Sequence, residues 1–280
     1  MRFLFVILSA AMLASLAYAQ APVTSVVKNA ASYETQGQAP GSIVAIFGSN
    51  LAASTSIGDT IPLSSHLGSV TSVTFNGTPA ALYFAGPTQI NAQVPFQVLQ
   101  SNQTNATVNM VVTSNTGSSV PLPVPVTQTQ PGIFTVNQAG TGQAIATDNA
   151  DAAFAAPANS IMGANSHPFS ISTQGQNSHA LIIWCTGLGD VMPSISDGEN
   201  SYKNGVPTVR QTVVQPPNLV VRVGGVQAQI LFSGLAPQFV SEYQVDVLLG
   251  PGTPTGNAVP VQIEVNGFTT SSNVTVAISE

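Results

Sequence analysis

The side chains of this chain that could do chemistry are scarce, so each can be weighed in turn. Its 280 residues include 5 Lys and Arg, 11 Asp and Glu, 3 His and 1 Cys. Five of the acids stand in two acid-rich stretches, Asp148-Asn149-Ala150-Asp151 and Asp190 with Asp197-Gly198-Glu199-Asn200. Closely spaced hard oxygens are what Ca2+ accepts. Asp148, Asn149, Asp151, Asp190, Asp197 and Glu199 are therefore candidate calcium ligands, although the same residue types are also ordinary turn formers. His66, His167 and His179 lie in or beside loops with no metal-ligand spacing between them, which reads as loop packing rather than zinc binding. A serine triad on His167 or His179 has no supporting motif: Gly-x-Ser-x-Gly and His-Glu-x-x-His are absent.

Cys185 follows Trp184 inside an apolar run, where a small buried thiol is expected and no neighbouring base or cation would activate it. A lysine–asparagine cross-link would need Lys28 buried beside Glu34, Asp148 or Glu264. Gly140-Thr141-Gly142 and Gly187-Leu188-Gly189 are not followed by amphipathic helices, so they read as turns rather than phosphate loops. The aromatics remain. Tyr202, Phe239 and Tyr243 are the candidate ligand contacts, since Phe239 lies in an insertion of the second half, Tyr243 ends it, and loop aromatics commonly bind. Trp184 and Phe47 stand at matched places in the two halves and read as core filling.

Charge narrows the partners. The net charge is −6 and only 6% of residues are charged, against 44% hydrophobic ones. Without Arg2 the cations are Lys28, Lys203, Arg210 and Arg222, too few and too scattered to follow a phosphate backbone or an anionic membrane. The apolar content permits a sizeable core and argues against disorder. At the N-terminus, Met1-Arg2, an apolar stretch to Leu16 and Ala17-Tyr18-Ala19 form the pattern of a secretory signal peptide cut after Ala19. The stretch of about 14 apolar residues is short of the roughly 20 that span a bilayer. The expected destination is outside the cytoplasm, secreted or at the cell surface, with no membrane span after cleavage. A lone cysteine rules out an intrachain disulfide, so the exported fold must rest on its core.

The elements that position these residues read as strands. Two β-branched and aromatic runs, Gly41–Leu51 and His179–Gly189, each stop at a Gly-containing turn, as buried sandwich strands do. Val70–Phe75, Asn76-Gly77 and Ala80–Phe84 read as a hairpin, matched by Val220–Val223, Gly224-Gly225 and Ala228–Phe232. Tyr243–Val247 answers Gln89–Val94. Thr107–Thr113 and Val120–Val126 form another hairpin, with Pro121, Pro123 and Pro125 marking an edge strand. Gln143–Thr147 stands as the counterpart of Val26–Lys28, and Ala152–Asn177 is a long insertion expected to pack on the surface or to serve function. No useful helical periodicity follows the signal peptide. The expectation is all-β, with two tandem immunoglobulin-like sandwiches at 20–130 and 179–280, joined by an arm and insertion at 131–178.

Asn29-Ala30-Ala31-Ser32-Tyr33, Ala39-Pro40-Gly41-Ser42-Ile43-Val44, Gln89-Ile90-Asn91-Ala92-Gln93-Val94-Pro95 and Pro131-Gly132-Ile133-Phe134 resemble one family. Phe47-Gly48-Ser49-Asn50-Leu51, Thr186-Gly187-Leu188-Gly189 and Gly234-Leu235-Ala236-Pro237 match it too. It is the uncharacterised secreted family abundant in acidobacteria (Solibacter-type), usually the C-terminal module of larger exported proteins. The Gly41–Leu51 strand is also similar to that of TIG/IPT domains; the second half departs from it, with His179-Ala180 in place of Pro-Gly-Ser. The resemblance implies an immunoglobulin-like fold and export, and carries no activity. The function expected is a non-enzymatic structural or adhesion module contacting protein or glycan outside the cell. The alternative is a carbohydrate-binding module, and the third reading is a hydrolase using His167 or His179.

Overall fold

A computed structural model describes residues 20–100, 103–175, 179–203, 206–207, 212–213 and 218–280, with the side chains of 202–217 excepted. The expected signal peptide, 1–19, lies outside the described residues. Among these residues no helix is long and apolar enough to cross a membrane.

The first sandwich opens with β1 (Val23–Asn29), β2 (Ile43–Ser49), β3 (Ser56–Ile57), β4 (Val70–Phe75) and β5 (Thr78–Pro79). It continues with β6 (Leu82–Ala85), β7 (Gln89–Gln93), β8 (Asn105–Ser114), β9 (Gly117–Ser118) and β10 (Leu122–Thr127). One sheet runs β1-β2-β7-β6-β3 and the other β10-β8-β4-β5, with β9 folded back on β8. Alternate residues of each strand point inward, so Val44, Ile46, Ile90, Val73, Phe75 and Met110 meet in one core between the sheets. The prolines of β10 are explained by its place at the sheet edge. N–H groups of alternate residues face the same side, so Pro123 and Pro125 remove donors only from the outer side, while Val124 and Val126 stay in register with β8.

The second sandwich begins with β11 (Gly132–Ile133), β12 (Gly142–Gln143), β13 (Ala146–Asp148), β14 (Phe154–Ala155), β15 (Ser166–His167) and β16 (Phe169–Ser170). Then come β17 (Leu181–Thr186), β18 (Val191–Met192), β19 (Tyr202–Lys203), β20 (Val206–Pro207), β21 (Thr212–Val213) and β22 (Val220–Val223). The chain closes with β23 (Val226–Gln227), β24 (Gln229–Leu235), β25 (Tyr243–Leu248), β26 (Gly256–Val265), β27 (Phe268–Thr269) and β28 (Val274–Ser279). Its sheets run β15-β14-β13-β17-β25-β24-β21-β18 and β12-β28-β26-β22-β23. Taken from β13 and from β28, these orders repeat those of the first sandwich, with β17 where β2 stands and β25 where β7 stands, and with β18 and β12 as additions at the edges. A second core forms around Leu181, Ile183, Val245, Val261, Ile263 and Val276.

The hairpins expected at Asn76-Gly77 and Gly224-Gly225 are shorter than their sequences suggest. Only Thr78 and Pro79 pair back onto β4. The chain then crosses at Ala80 and Ala81 to the other sheet, where β6 pairs with β7. Ala228 makes the same crossing to β24. All three alanines are buried, and a larger side chain has no room where the chain passes between layers. The stretch 131–175 does not hang free: β12 and β16 pair with β28 while β13, β14 and β15 extend the sheet beyond β17.

Hydrogen bonds also tie the sandwiches together. The Thr186 hydroxyl accepts from the Ile43 N–H at 3.0 Å and donates to the Ser241 carbonyl at 3.1 Å. Asp197 accepts from the Phe96 N–H at 3.0 Å, and the Gly198 N–H donates to the Gln93 side chain at 2.6 Å. Val240 packs on Leu63 and Ala81 of the first sandwich.

Candidate functional site

Two places in the second sandwich gather functional groups. The first is built on β17. Period-two alternation sends Leu181, Ile183 and Cys185 into the core, so Ile182 and Trp184 must face outward. Trp184 is only partly buried, and its Nε1 donates to the Thr147 hydroxyl at 3.1 Å on neighbouring β13. This corrects the core-filling expectation: neither Trp184 nor Phe47 belongs to a core cluster. The alternation of the run was itself a sufficient signal, since Trp184 and Cys185 are adjacent and cannot share a face.

Phe239 stands edge-on to Trp184, with ring centroids 6.2 Å apart and planes at 72°. It is 52% exposed. The loop that presents it is held at both sides. Val240 is buried against the first sandwich, where the Tyr83 hydroxyl donates to its carbonyl at 2.9 Å. The Asn200 side chain donates to the Gln238 carbonyl at 2.9 Å. Gln238 and Ser241 take positive φ, 71° and 54°, turning the chain on either side of Phe239 and Val240. One strand over, Gln244 donates to Asp246 at 2.8 Å, and these two pair with Trp184 and Ile182 of β17.

The other two aromatic candidates differ. Tyr243 is fully buried in β25 and donates to the Gly189 carbonyl at 2.5 Å, so it offers no ring face to a ligand. Its place on the inward face of the sheet, beside Cys185, explains why. Tyr202 begins β19, and its side chain lies outside the described residues. Burial pushes the Cys185 and Tyr83 acids well up, which leaves the thiol inert as a nucleophile.

The second place is a cluster of acids and histidines at the outer end of the larger sheet. Asp148 ends β13, Asp151 sits in the following turn, His167 ends β15, and His179 precedes β17. The parallel pairing of β14 with β15 carries His167 back over that turn. His167 Nε2 lies 3.0 Å from Asp151 Oδ2, and its Nδ1 is 3.0 Å from the Pro168 carbonyl. His179 Nε2 lies 2.5 Å from Asp148 Oδ1, and its ring stacks at a tilt on Phe169 with centroids 5.0 Å apart. The Pro168 carbonyl and the Asp151 carboxylate raise the His167 pKa. The Ala153 N–H and His167 lower that of Asp151. At His179 burial opposes the charge, yet Asp148 and the Thr173 backbone prevail and the shift is upward. Both His167 nitrogens thus face oxygens, Nδ1 the Pro168 carbonyl and Nε2 the Asp151 carboxylate, and neither of these partners is a serine hydroxyl.

The calcium candidates are thus divided. Asn149 turns its Oδ1 to the Ala180 N–H at 2.8 Å, and Asp148 and Asp151 face histidines. Asp197 is spent on the Phe96 N–H, and burial raises its pKa as it does that of Asp190. Glu199 lies two residues beyond, in the same turn. Asp148 meets His179, so the cross-link imagined between Lys28 and Asp148 finds its acid already engaged. Sequence spacing gave no hint that His167 and His179 approach Asp151 and Asp148; only strand pairing brings them there. No protein-family model matches the chain, and no curated protein is significantly similar to it.

Proposed function

We propose that this chain is an exported, non-enzymatic module of two tandem immunoglobulin-like sandwiches, of the acidobacterial secreted kind, that contacts a protein or glycan outside the cell through the Trp184–Phe239 shelf. One observation carries the reading: an exposed aromatic, propped by a half-buried tryptophan on a rigid sheet, in a loop anchored on both sides. Tryptophan-centred patches on rigid supports are where binding energy concentrates. The partly buried Asp246 carboxylate, held by the buried Gln244 one strand over from Trp184, favours a glycan as partner, since a sugar presents C–H faces to aromatics and hydroxyls to a carboxylate.

A glycan array probed with the purified protein tests this directly. Binding lost in Phe239→Ala by roughly 30-fold or more, the scale of a hot-spot residue, supports the carbohydrate reading. A blank array together with adhesion to a protein-coated surface that Phe239→Ala abolishes supports the protein reading. Partner binding unchanged in Phe239→Ala rejects the shelf. Turnover of ester, glycoside or peptide substrates that is lost in His167→Ala rejects the non-enzymatic reading.

A further inference from the structure

We propose that Asp148, Asp151 and His167, closed by His179, form a binding site for one divalent metal ion of the zinc class. One ligand atom from each of Asp148, Asp151 and His167 lies within 4.8 Å of the other two, close enough to share an ion. The histidine is oriented as metal ligands are: Nδ1 is held by the Pro168 carbonyl, which leaves Nε2 turned toward the carboxylates. His179 supplies an independent sign. Its residue is only 8% exposed, and its Nε2 is buried without a hydrogen-bond partner although it lies 2.5 Å from Asp148 Oδ1. An imidazole nitrogen and a carboxylate oxygen buried this close need a positive charge shared between their lone pairs, which a bound cation would supply.

The donor set selects the ion. Calcium takes oxygen ligands almost alone. The amide oxygen of Asn149 that would have served it is committed to the Ala180 N–H. Imidazole nitrogen with carboxylate oxygen is a zinc set, and zinc stands high in affinity among the divalent metals that accept it. The site joins the end of β13, the turn after it, β15 and the residue that leads into β17, so a bound ion would fasten the 149–179 insertion to the sheet. A chain whose single cysteine is buried has no disulfide with which to do this.

The test is titration of EDTA-dialysed protein with Zn2+ and, separately, Ca2+, read by calorimetry and thermal unfolding. The variants are Asp151→Asn and His167→Gln, whose side chains are 47% and 38% exposed and so can change without emptying a core. The expected result is one Zn2+ per chain and a Tm raised by roughly 5–10 °C at a hundredfold excess over Kd. Affinity should fall at least about 100-fold in either variant and stay unchanged in His66→Gln. Cobalt(II) should give d–d absorption that His167→Gln alters. No uptake of Zn2+, uptake equal in wild type and both variants, or Ca2+ bound in its place overturns the proposal.

Discussion

The two sandwiches share a strand order and differ in what was added to it. In the first, β1 passes to β2 through the loop 30–42, which opens on a turn where the Asn29 side chain accepts from the Ala31 and Ser32 N–H groups and adds no strand to the sheet. In the second, the same passage from β13 to β17 takes the chain through β14, β15 and β16, and there the acid–histidine cluster is built. The loop before β7 is short, whereas the loop before β25 carries Phe239 and reaches the first sandwich through Val240. The repeated strands supply a rigid frame. The chemistry sits in segments that only one copy has, and those segments are free to vary because they lie outside the alternation that builds the core.

If the frames are equivalent, emptying matched core positions should cost alike. Ile46→Ala and Ile183→Ala each remove a fully buried side chain from the equivalent strands β2 and β17. Each should lower unfolding free energy by about 2–5 kcal/mol in urea titration. A single shared transition in both variants would show that the junction couples the sandwiches. Separate transitions would show that each stands alone.

Glu242, which enters β25, sharpens the contrast through pH. Burial holds its carboxyl up at about 7, against 4.5 for the free group. The folded chain therefore keeps a proton that the unfolded chain releases between those values. Stability should fall as pH rises from 4.5 through about 7 and level off above it, by a total of about 3 kcal/mol. Glu242→Gln should flatten this dependence and leave the protein more stable than wild type at pH 8. A dependence that survives the substitution assigns it elsewhere.

At the junction, Asp197→Ala strands the Phe96 N–H and should cost about 1–2 kcal/mol, whereas Asp197→Asn, which keeps an acceptor, should cost less. Equal losses in the two variants would mean that charge, not the hydrogen bond, matters there. The smallest effect belongs to Phe239→Ala, whose exposed ring should contribute under about 1 kcal/mol to urea-measured stability. A larger loss would make the loop part of the frame rather than an addition to it.

By itself the amino-acid sequence determined the all-β class, the two central apolar strands, the proline-bearing edge and the twofold recurrence of the strand pattern. These follow from local rules: period-two alternation, β-branched runs, Asn-Gly and Gly-Gly turns, and the missing donor of proline act within a few residues. Even the outward face of Trp184 was legible from its neighbour Cys185. Only the tertiary structure decided where the strands after those turns go, since the chain crosses to the opposite layer at the buried Ala80 and Ala228 with no turn signal to mark it. It alone decided that Tyr243 is buried and that Asp197 joins the sandwiches. It likewise brought His167 and His179 against carboxylates far away in the sequence, because parallel and cross-sheet pairing sets distances that no local spacing encodes.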